Sequence, residues 1–132
     1  MNLIIDVSGS VEILLKKEKS KKFDKVLQEA KNVFAPDVYI SELSNVFWKY
    51  TAIKKHNKND CIKYIHDGLD YVDVFIDSRT IWEEAFSEAI NNNHSVYDMF
   101  YMVAARRHAG TLVTNDSALA AICKKNNVQV CC

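Results

Sequence analysis

The stretch Asn2–Ser10, NLIIDVSGS, combines the two features that decide the fold of this chain. Its short, β-branched apolar run, Leu3 to Val7, predicts a buried strand, and the small polar residues behind it predict a turn. Asp6 lies at the end of that run. A carboxylate beside a buried segment is costly unless it is paired, hydrogen-bonded or bound to a cation. The stretch therefore predicts a strand that ends in a site assembled by folding.

Short β-like runs and helical runs then alternate along the whole chain. Strands are predicted at 3–7, 32–35, 72–76, 111–114 and 128–131, and helices at 11–17, 21–31, 38–55 with Asp37 as the cap, 60–69, 81–90, 95–108 and 117–125. Strands separated by helices pair in parallel through right-handed crossovers. The predicted fold is therefore one α/β domain, a three-layer helix–sheet–helix sandwich with a mostly parallel central sheet of four to five strands.

The composition fits a single domain of this kind. The 132 residues are 48% hydrophobic, which is enough apolar material for a proper core. The formal net charge is zero, so any binding of nucleic acid has to come from local patches. No apolar run approaches the length of a membrane span. The four cysteines form no C-x-x-C pair, and the start of the chain is not signal-like, which predicts reduced thiols in a cytoplasm.

Four acids stand where predicted strands and helices meet. Asp6 and Asp116 end strands, Asp98 lies in the first turn of its helix, and Glu42 lies in the second turn of its own. In a parallel sheet the carboxyl ends of strands share an edge with the amino ends of helices, and open α/β sheets bind ligands there. Asp77 falls on the same edge, so position alone does not select the four.

Each of these acids also has an ordinary structural explanation. Asp6 and Asp116 are suited to cap the helices that follow them, and Asp98 is suited to a capping-box-like turn. Glu42 could be a helix-surface acid that the helix dipole favours. Asp77 is interpreted as a cap and nothing more. Because an acid can cap a helix and also bind a cation, these explanations leave a shared site open.

Clustered carboxylates have one natural partner, a hard divalent cation. Three or four of them repel one another unless a cation joins them. Magnesium or manganese takes oxygen ligands and keeps waters that a phosphate can displace. Such an ion polarises a phosphodiester and lowers the pKa of a bound water. The sequence contains no competing serine–histidine pair or glycine-rich phosphate loop, so the residues predict metal-assisted phosphodiester hydrolysis.

Short motifs surround the four acids. They are Asp6-Val7-Ser8 after the first strand, Glu42 in ELSNVFWK, Tyr97-Asp98-Met99-Phe100-Tyr101 with Ala104-Ala105, and LVTNDSAL from Leu112 to Leu119. Together they resemble the PIN domain over nearly the whole chain, and the VapC-type toxin ribonucleases in length and spacing. The last two motifs are the most specific part of this resemblance.

The resemblance implies an endoribonuclease that depends on magnesium or manganese. The catalytic and metal-binding quartet that it implies consists of Asp6, Glu42, Asp98 and Asp116. Ser8 and Thr114 match hydroxyl positions that order the site, and Asn115 would add a polar contact. Met99 stands where a small residue is usual. Glu12 is interpreted as a surface residue rather than as an acid that supports the site.

Lysines near the Glu42 helix are the candidates for contacts with RNA phosphates. Lys49, Lys54 and Lys55 lie on or after that helix and are predicted to bind RNA. A denser lysine run between the first two helices is interpreted as a solvated face.

The resemblance also implies two kinds of protein partner. One is a second copy of the chain, in a homodimer that places two acidic sites along a shared groove. The other is a small antitoxin that inserts a basic side chain among the carboxylates. The first two helices are the predicted docking surface, with core packing as the alternative for their apolar residues, which are Leu14, Leu15, Phe23, Val26 and Leu27.

Two other functions stay open at this point. A PIN-like module could hold RNA or a protein without cutting, and it would be expected to lack one or more acids. A phosphatase could use Asp6 as a nucleophile. That chemistry commonly requires a D-x-D motif, and this chain has Ser8 at its second position.

Overall fold

Five short parallel strands form the centre of the computed structural model, which describes residues 1–132. They are β1 (Asn2–Ile5), β2 (Asn32–Pro36), β3 (Val74–Ile76), β4 (Thr111–Val113) and β5 (Val130–Cys131). The strands lie in the order β3-β2-β1-β4-β5, and every neighbouring pair is parallel. Leu3, Ile4 and Ile5 of the central strand are fully buried, as expected for a parallel sheet with both faces covered.

Seven α-helices cover the sheet. They are α1 (Val7–Leu14), α2 (Ser20–Glu29), α3 (Val38–Ala52), α4 (Lys58–Asp70), α5 (Trp82–Asn92), α6 (Val96–Arg107) and α7 (Ser117–Lys125). Helix α6 packs across β1, β2 and β4 and pairs with α5, whereas α1, α3 and α4 pack against one another. None of the helices combines the length and the apolar content needed to cross a membrane. The three-layer sandwich predicted from the sequence is confirmed.

The chain order of the strands creates a switch point in the middle of the sheet. The chain starts in β1, builds β2 and β3 on one side, and then returns to build β4 and β5 on the other. Ligands of open α/β sheets bind outside the carboxyl ends of the strands at such a switch point. Asp6 directly follows β1, and Asp116 lies just beyond β4 on the other side of the crevice.

The first helix begins earlier than the sequence indicated. Helix α1 starts at Val7, so the residues interpreted as a turn, 8–10, form its first turns. Small residues are needed there because α1 lies close to β4. A Cβ atom added to Gly9 would lie 2.9 Å from the carbonyl oxygen of Val113. The other predicted elements are present, with their ends shifted by a few residues.

Two acids after the neighbouring strands have structural roles. Asp37 precedes α3, but the prediction that its side chain caps that helix is wrong. Its carboxylate accepts the amide and hydroxyl protons of Ser78 instead. Asp77 accepts the Arg79 amide proton at 2.9 Å and caps a 3₁₀ turn (Ser78–Thr80), as predicted. It also pairs with the Arg79 guanidinium at 2.7 Å.

The apolar residues of the first two helices belong mainly to the core. Leu14 and Phe23 are buried, and Leu15, Val26 and Leu27 are partly buried and packed against the same core. Core packing thus accounts for Leu14 and Phe23, whereas a docking surface on the first two helices, with the partly buried Leu15, Val26 and Leu27, stays a prediction. Met99 is also fully buried, so its bulk fills the core under α6.

Candidate active site

Asp6 is the most deeply buried acid of the predicted quartet. Its side chain is 6% exposed, and it caps α1 by accepting the Gly9 amide proton at 2.8 Å. The hydroxyl of Ser8 donates to the same oxygen at 2.7 Å, and the hydroxyl of Thr114 donates to the other. Burial nevertheless raises the pKa of Asp6 to about 6, because these hydrogen bonds only partly offset the loss of water; the charge of Asp98 raises the pKa further.

The two hydroxyl residues connect the ends of β1 and β4. The oxygens of Ser8 and Thr114 lie 3.2 Å apart. Ser8 accepts the backbone amide proton of Asn115 at 2.8 Å, and Thr114 accepts that of Asp116 at 3.0 Å. The hydroxyl groups therefore hold Asp6 in place and fix the loop that carries Asp116. The Asn115 side chain is exposed at the edge of the site.

Asp116 caps a helix with one of its carboxylate oxygens, and the other oxygen has no hydrogen-bond partner in the protein. Its Oδ1 accepts the amide protons of Ala118 and Leu119 at 3.0 and 3.1 Å, which confirms its capping role at the start of α7. Its Oδ2 accepts no hydrogen bond from the protein. Capping thus orients the carboxylate without using all of its lone pairs.

Glu42 points inward from α3, and the surface explanation for it is wrong. Its Oε1 accepts the hydroxyl proton of Tyr101 on α6 at 3.0 Å. Burial raises the pKa of Glu42, the Tyr101 hydrogen bond opposes this effect, and the charges of Asp98 and Asp6 raise the pKa further. Tyr101 is 1% exposed, and burial keeps its own pKa well above the ordinary value, so the phenol stays a donor.

Asp98 makes a contact that the sequence analysis did not include. Its Oδ2 lies 2.7 Å from Nε2 of His94, which is in the turn between α5 and α6. The capping-box-like turn predicted for Asp98 is absent, since Ser95 caps α6 by accepting the Tyr97 amide proton and Asp98 turns to the histidine. The spacing of four residues between His94 and Asp98 is a local signal that could have suggested this contact.

Three acids of the quartet influence one another electrostatically, but the side chains of the four do not form a complete metal-binding site. Asp98 raises the pKa values of Asp6 and Glu42, and Asp6 raises that of Glu42, so these three acids interact electrostatically. No group of three acid, histidine or cysteine side chains is drawn together as a ready set of metal ligands. Each carboxylate is instead held by its own partner, which also keeps like charges apart.

The donor chemistry of the quartet suits a hard divalent cation. All of the available atoms are carboxylate oxygens, and one oxygen of each of three acids accepts no hydrogen bond from the protein: Glu42 Oε2, Asp98 Oδ1 and Asp116 Oδ2. Magnesium and manganese prefer such ligands and retain several waters. The free oxygens of the quartet are therefore of the kind that such a cation prefers as ligands.

A cavity of about 440 Å³ opens beside Glu42, and it changes the interpretation of Glu12. Glu12 was predicted to lie on the surface, but it is 6% exposed and lines this cavity together with Glu42, Ser8 and Asn115. One of its oxygens lies 3.4 Å from the Lys19 amide.

The three lysines predicted to bind RNA occupy different positions. Lys49 lines the same cavity as Glu12, and Lys54 lines a second cavity next to it. Lys55 is exposed and lines neither cavity.

Comparison with known proteins places this geometry in a family. The PIN domain model matches residues 3–125. Ribonuclease VapC3 of Pyrobaculum aerophilum is 22% identical over 123 residues, which cover 91% of this chain and 93% of that protein. The crystal structure of PAE2754 from Pyrobaculum aerophilum superimposes with a TM-score of 0.72 at 18% identity, covering 92% of this chain and 84% of the other. That of VapBC2 from Rickettsia felis, bound to a promoter DNA fragment, gives a TM-score of 0.69 at 16% identity, covering 98% and 97%.

The residues that the family model matches include the acidic site. The matched range contains the four acids Asp6, Glu42, Asp98 and Asp116 and the two hydroxyl residues, Ser8 and Thr114, that hold Asp6. Because the PIN domain family model matches nearly the entire sequence, the chain belongs to the PIN-domain family.

Proposed function

We propose that this chain is a metal-dependent endoribonuclease and the toxin of a toxin–antitoxin pair. The observation that carries the proposal is Asp6, a buried carboxylate with a raised pKa that shares its surroundings with Glu42 and Asp98 at the switch point of a parallel sheet. Such a costly group is retained where a cation or a reaction requires it. The relative named as a ribonuclease supports RNA as the substrate.

The proposed roles divide between the metal and the residues that surround it. Mg²⁺ or Mn²⁺ would be held by Asp6, Glu42, Asp98 and Asp116, and when bound it supplies the positive charge that polarises a phosphodiester and favours ionisation of water. The hydroxyls of Ser8 and Thr114 orient Asp6. Tyr101 orients Glu42, and His94 orients Asp98. Asn115 lies at the cavity edge, where its amide can contact the substrate.

The proposal includes an antitoxin and a homodimer. The VapBC2 complex from Rickettsia felis supports the first partner by analogy. A stripe on α5 supports an interface of one of these kinds, because Trp82, Phe86 and Ile90 follow at successive turns and are 55%, 55% and 65% exposed. All four cysteines are free thiols, so we also propose a reducing compartment such as the cytoplasm.

Removal of divalent metal is the direct test of this function. Purified protein should cut single-stranded RNA in Mg²⁺ or Mn²⁺, and a chelator should reduce the rate by about a thousandfold or more, since the cation supplies several kcal/mol. Activity should return when the metal is added in excess. Gel analysis of labelled RNA measures all three rates.

The same assay separates the rival functions. Hydrolysis of a phosphomonoester with intact RNA would indicate a phosphatase. RNA binding without cleavage at any metal concentration would indicate a binding module. Cleavage that is insensitive to the chelator would overturn the role of the quartet.

Replacing Tyr101 by phenylalanine tests how Glu42 is positioned. The change removes one hydroxyl from a fully buried ring and leaves Glu42 without its donor. We expect metal affinity and cleavage rate to fall about 10- to 100-fold, the usual effect of losing a partner of a metal ligand. Calorimetric titration with Mn²⁺ and parallel RNA cleavage measure the two losses.

Tyr97 offers a matched control on the same helix. It is 60% exposed, and its hydroxyl makes no hydrogen bond in the protein, so Tyr97→Phe should retain both properties. Unchanged Mn²⁺ affinity in Tyr101→Phe would show that Glu42 does not depend on this phenol for its geometry.

A further inference from the structure

Two adjoining cavities lead away from the acidic site between α1 and α3. The first, of about 440 Å³, starts at Ser8 and Glu42 and is lined by Lys17, Lys49 and Tyr50. The second, of about 660 Å³, shares Lys17 and Tyr50 with the first and continues past the end of α3. The shared residues make the two cavities one continuous groove, which we call the lysine groove. Its basic residues are Lys16, Lys17, Lys49, Lys54 and His56.

The charge of the lysine groove changes sign along its length. Glu12 and Glu42 line the end next to the site, whereas the second cavity is lined by no acid. The ammonium groups of Lys16, Lys17, Lys49 and Lys54 form no ion pair and donate no hydrogen bond in the protein, although acids elsewhere pair with Lys63, Arg79, Arg106 and Arg107. Unpaired cations in a concave surface concentrate positive potential and attract an anionic ligand.

One lysine of the second cavity, Lys54, is held in place beside the Tyr50 ring. The ammonium of Lys54 lies 4.3 Å from the centroid of the Tyr50 ring, an arrangement that attracts a cation to the ring face. The ring of His56 packs edge-on against Tyr50 at 5.2 Å, and the His56 amide donates to the Tyr50 carbonyl at 3.0 Å. The Tyr50 ring therefore holds the Lys54 ammonium in the groove. Lys54 covers the face of the ring on which a base would otherwise stack.

The other flank of the site lacks this charge. The cavity lined by His94 is otherwise formed by apolar and uncharged polar residues of α5, of the turn that follows it and of the start of α6, and by no lysine or arginine. A polyanion that reaches the acids is thus attracted on one side only. The lysine run interpreted as a solvated face is divided accordingly, because Lys16 and Lys17 face the groove and Lys22 donates to the Cys132 carbonyl.

We propose that the lysine groove binds the RNA backbone on one side of the cleaved bond. This inference rests on the proposed ribonuclease function and specifies where its substrate lies. Contacts to phosphates position a strand but carry no sequence information. The groove therefore supplies affinity and direction, and the choice of cleavage site depends on nucleotides at the acids themselves.

The test measures binding separately from cleavage. In the Asp98→Asn background, a labelled single-stranded RNA is titrated by fluorescence anisotropy at several KCl concentrations. Adding Lys17→Ala and Lys54→Ala together should weaken binding at least tenfold. It should also reduce the slope of log affinity against log salt by about 1.4, because each phosphate contact contributes about 0.7 for a single strand. Lys124→Ala with Lys125→Ala, at the exposed end of α7, is the matched control and should change neither quantity.

A cleavage assay with the natural acids checks the same groove. The double lysine variant should raise KM for a long RNA and leave kcat unchanged. Surface lysine substitutions leave the fold intact, which thermal unfolding verifies.

The outcomes separate the two levels of the proposal. A wild-type protein that neither binds nor cuts RNA contradicts the ribonuclease function. A wild-type protein that cuts RNA, with a double variant of unchanged affinity and salt slope, overturns the groove assignment alone. Poly-glutamate, titrated in the same way, serves as a probe for an acidic protein segment. If the double lysine variant loses binding of poly-glutamate but keeps the salt slope for RNA, the groove binds an acidic protein segment, and the RNA assignment is overturned.

Discussion

Replacing Asp98 by asparagine is expected to abolish RNA cleavage while the fold stays intact. The amide keeps the size of the carboxylate and can still contact His94, which lies 2.7 Å away in the wild-type protein. It loses the negative charge that a divalent cation requires. Loss of several kcal/mol of metal-dependent stabilisation corresponds to about a thousandfold or greater fall in rate. Initial rates on labelled RNA in Mg²⁺ and in Mn²⁺ measure the effect.

Asp77 provides the control for this substitution. It follows β3 at the same edge of the sheet, but it caps the 3₁₀ turn and pairs with Arg79 at 2.7 Å. Asp77→Asn removes the same charge from the same edge and should cleave RNA at the wild-type rate. Full activity of Asp98→Asn in manganese buffer would refute the assignment of the quartet, and equal losses in both variants would indicate a general electrostatic effect.

The sheet was predictable from sequence because its central strand, β1, is buried on both faces and the other strands alternate with helical runs. Runs such as Leu3–Ile5 are continuously apolar, and the helical runs between them leave parallel pairing as the simple solution. The start of α1 was not predictable in the same way. Gly9 resembles a turn residue by local preference, and only the close approach of Val113 explains why it lies inside a helix.

The edge that carries the acids was also predictable, whereas the partner of Glu42 was not. Parallel topology alone places Asp6 and Asp116 side by side. Capping explained only part of their environment, since Asp6 and Asp116 are caps while Glu42 and Asp98 bond to Tyr101 and His94. The contact between Glu42 and Tyr101 depends on which face of α3 meets α6, and that is decided by tertiary packing.

The burial of Asp6 gives the metal-free protein a defined dependence on pH. The pKa of Asp6 rises from 3.8 to about 6 in the fold, chiefly because of desolvation. At a pH between these two pKa values the native state binds more protons than the unfolded state, so the free energy of unfolding falls as pH rises. Above about pH 6 Asp6 is charged in both states, and the full cost of burying its charge remains. The raised pKa corresponds to about 3 kcal/mol. Glu42 acts in the same direction, since its pKa is raised as well.

Asp6→Asn should therefore stabilise the metal-free protein at pH 8 by up to about 3 kcal/mol, although it should not cut RNA. The amide oxygen can accept the protons that Gly9 and Ser8 now donate, and its nitrogen can donate to Thr114. Urea unfolding in chelator, at pH 4 and pH 8, measures the difference between the two proteins, which should nearly vanish at pH 4 because Asp6 is then protonated. Excess Mg²⁺ should reverse the order, since a cation that binds only the folded wild type stabilises it by mass action. A difference that is equal at both pH values would show that the charge of Asp6 is not the cause.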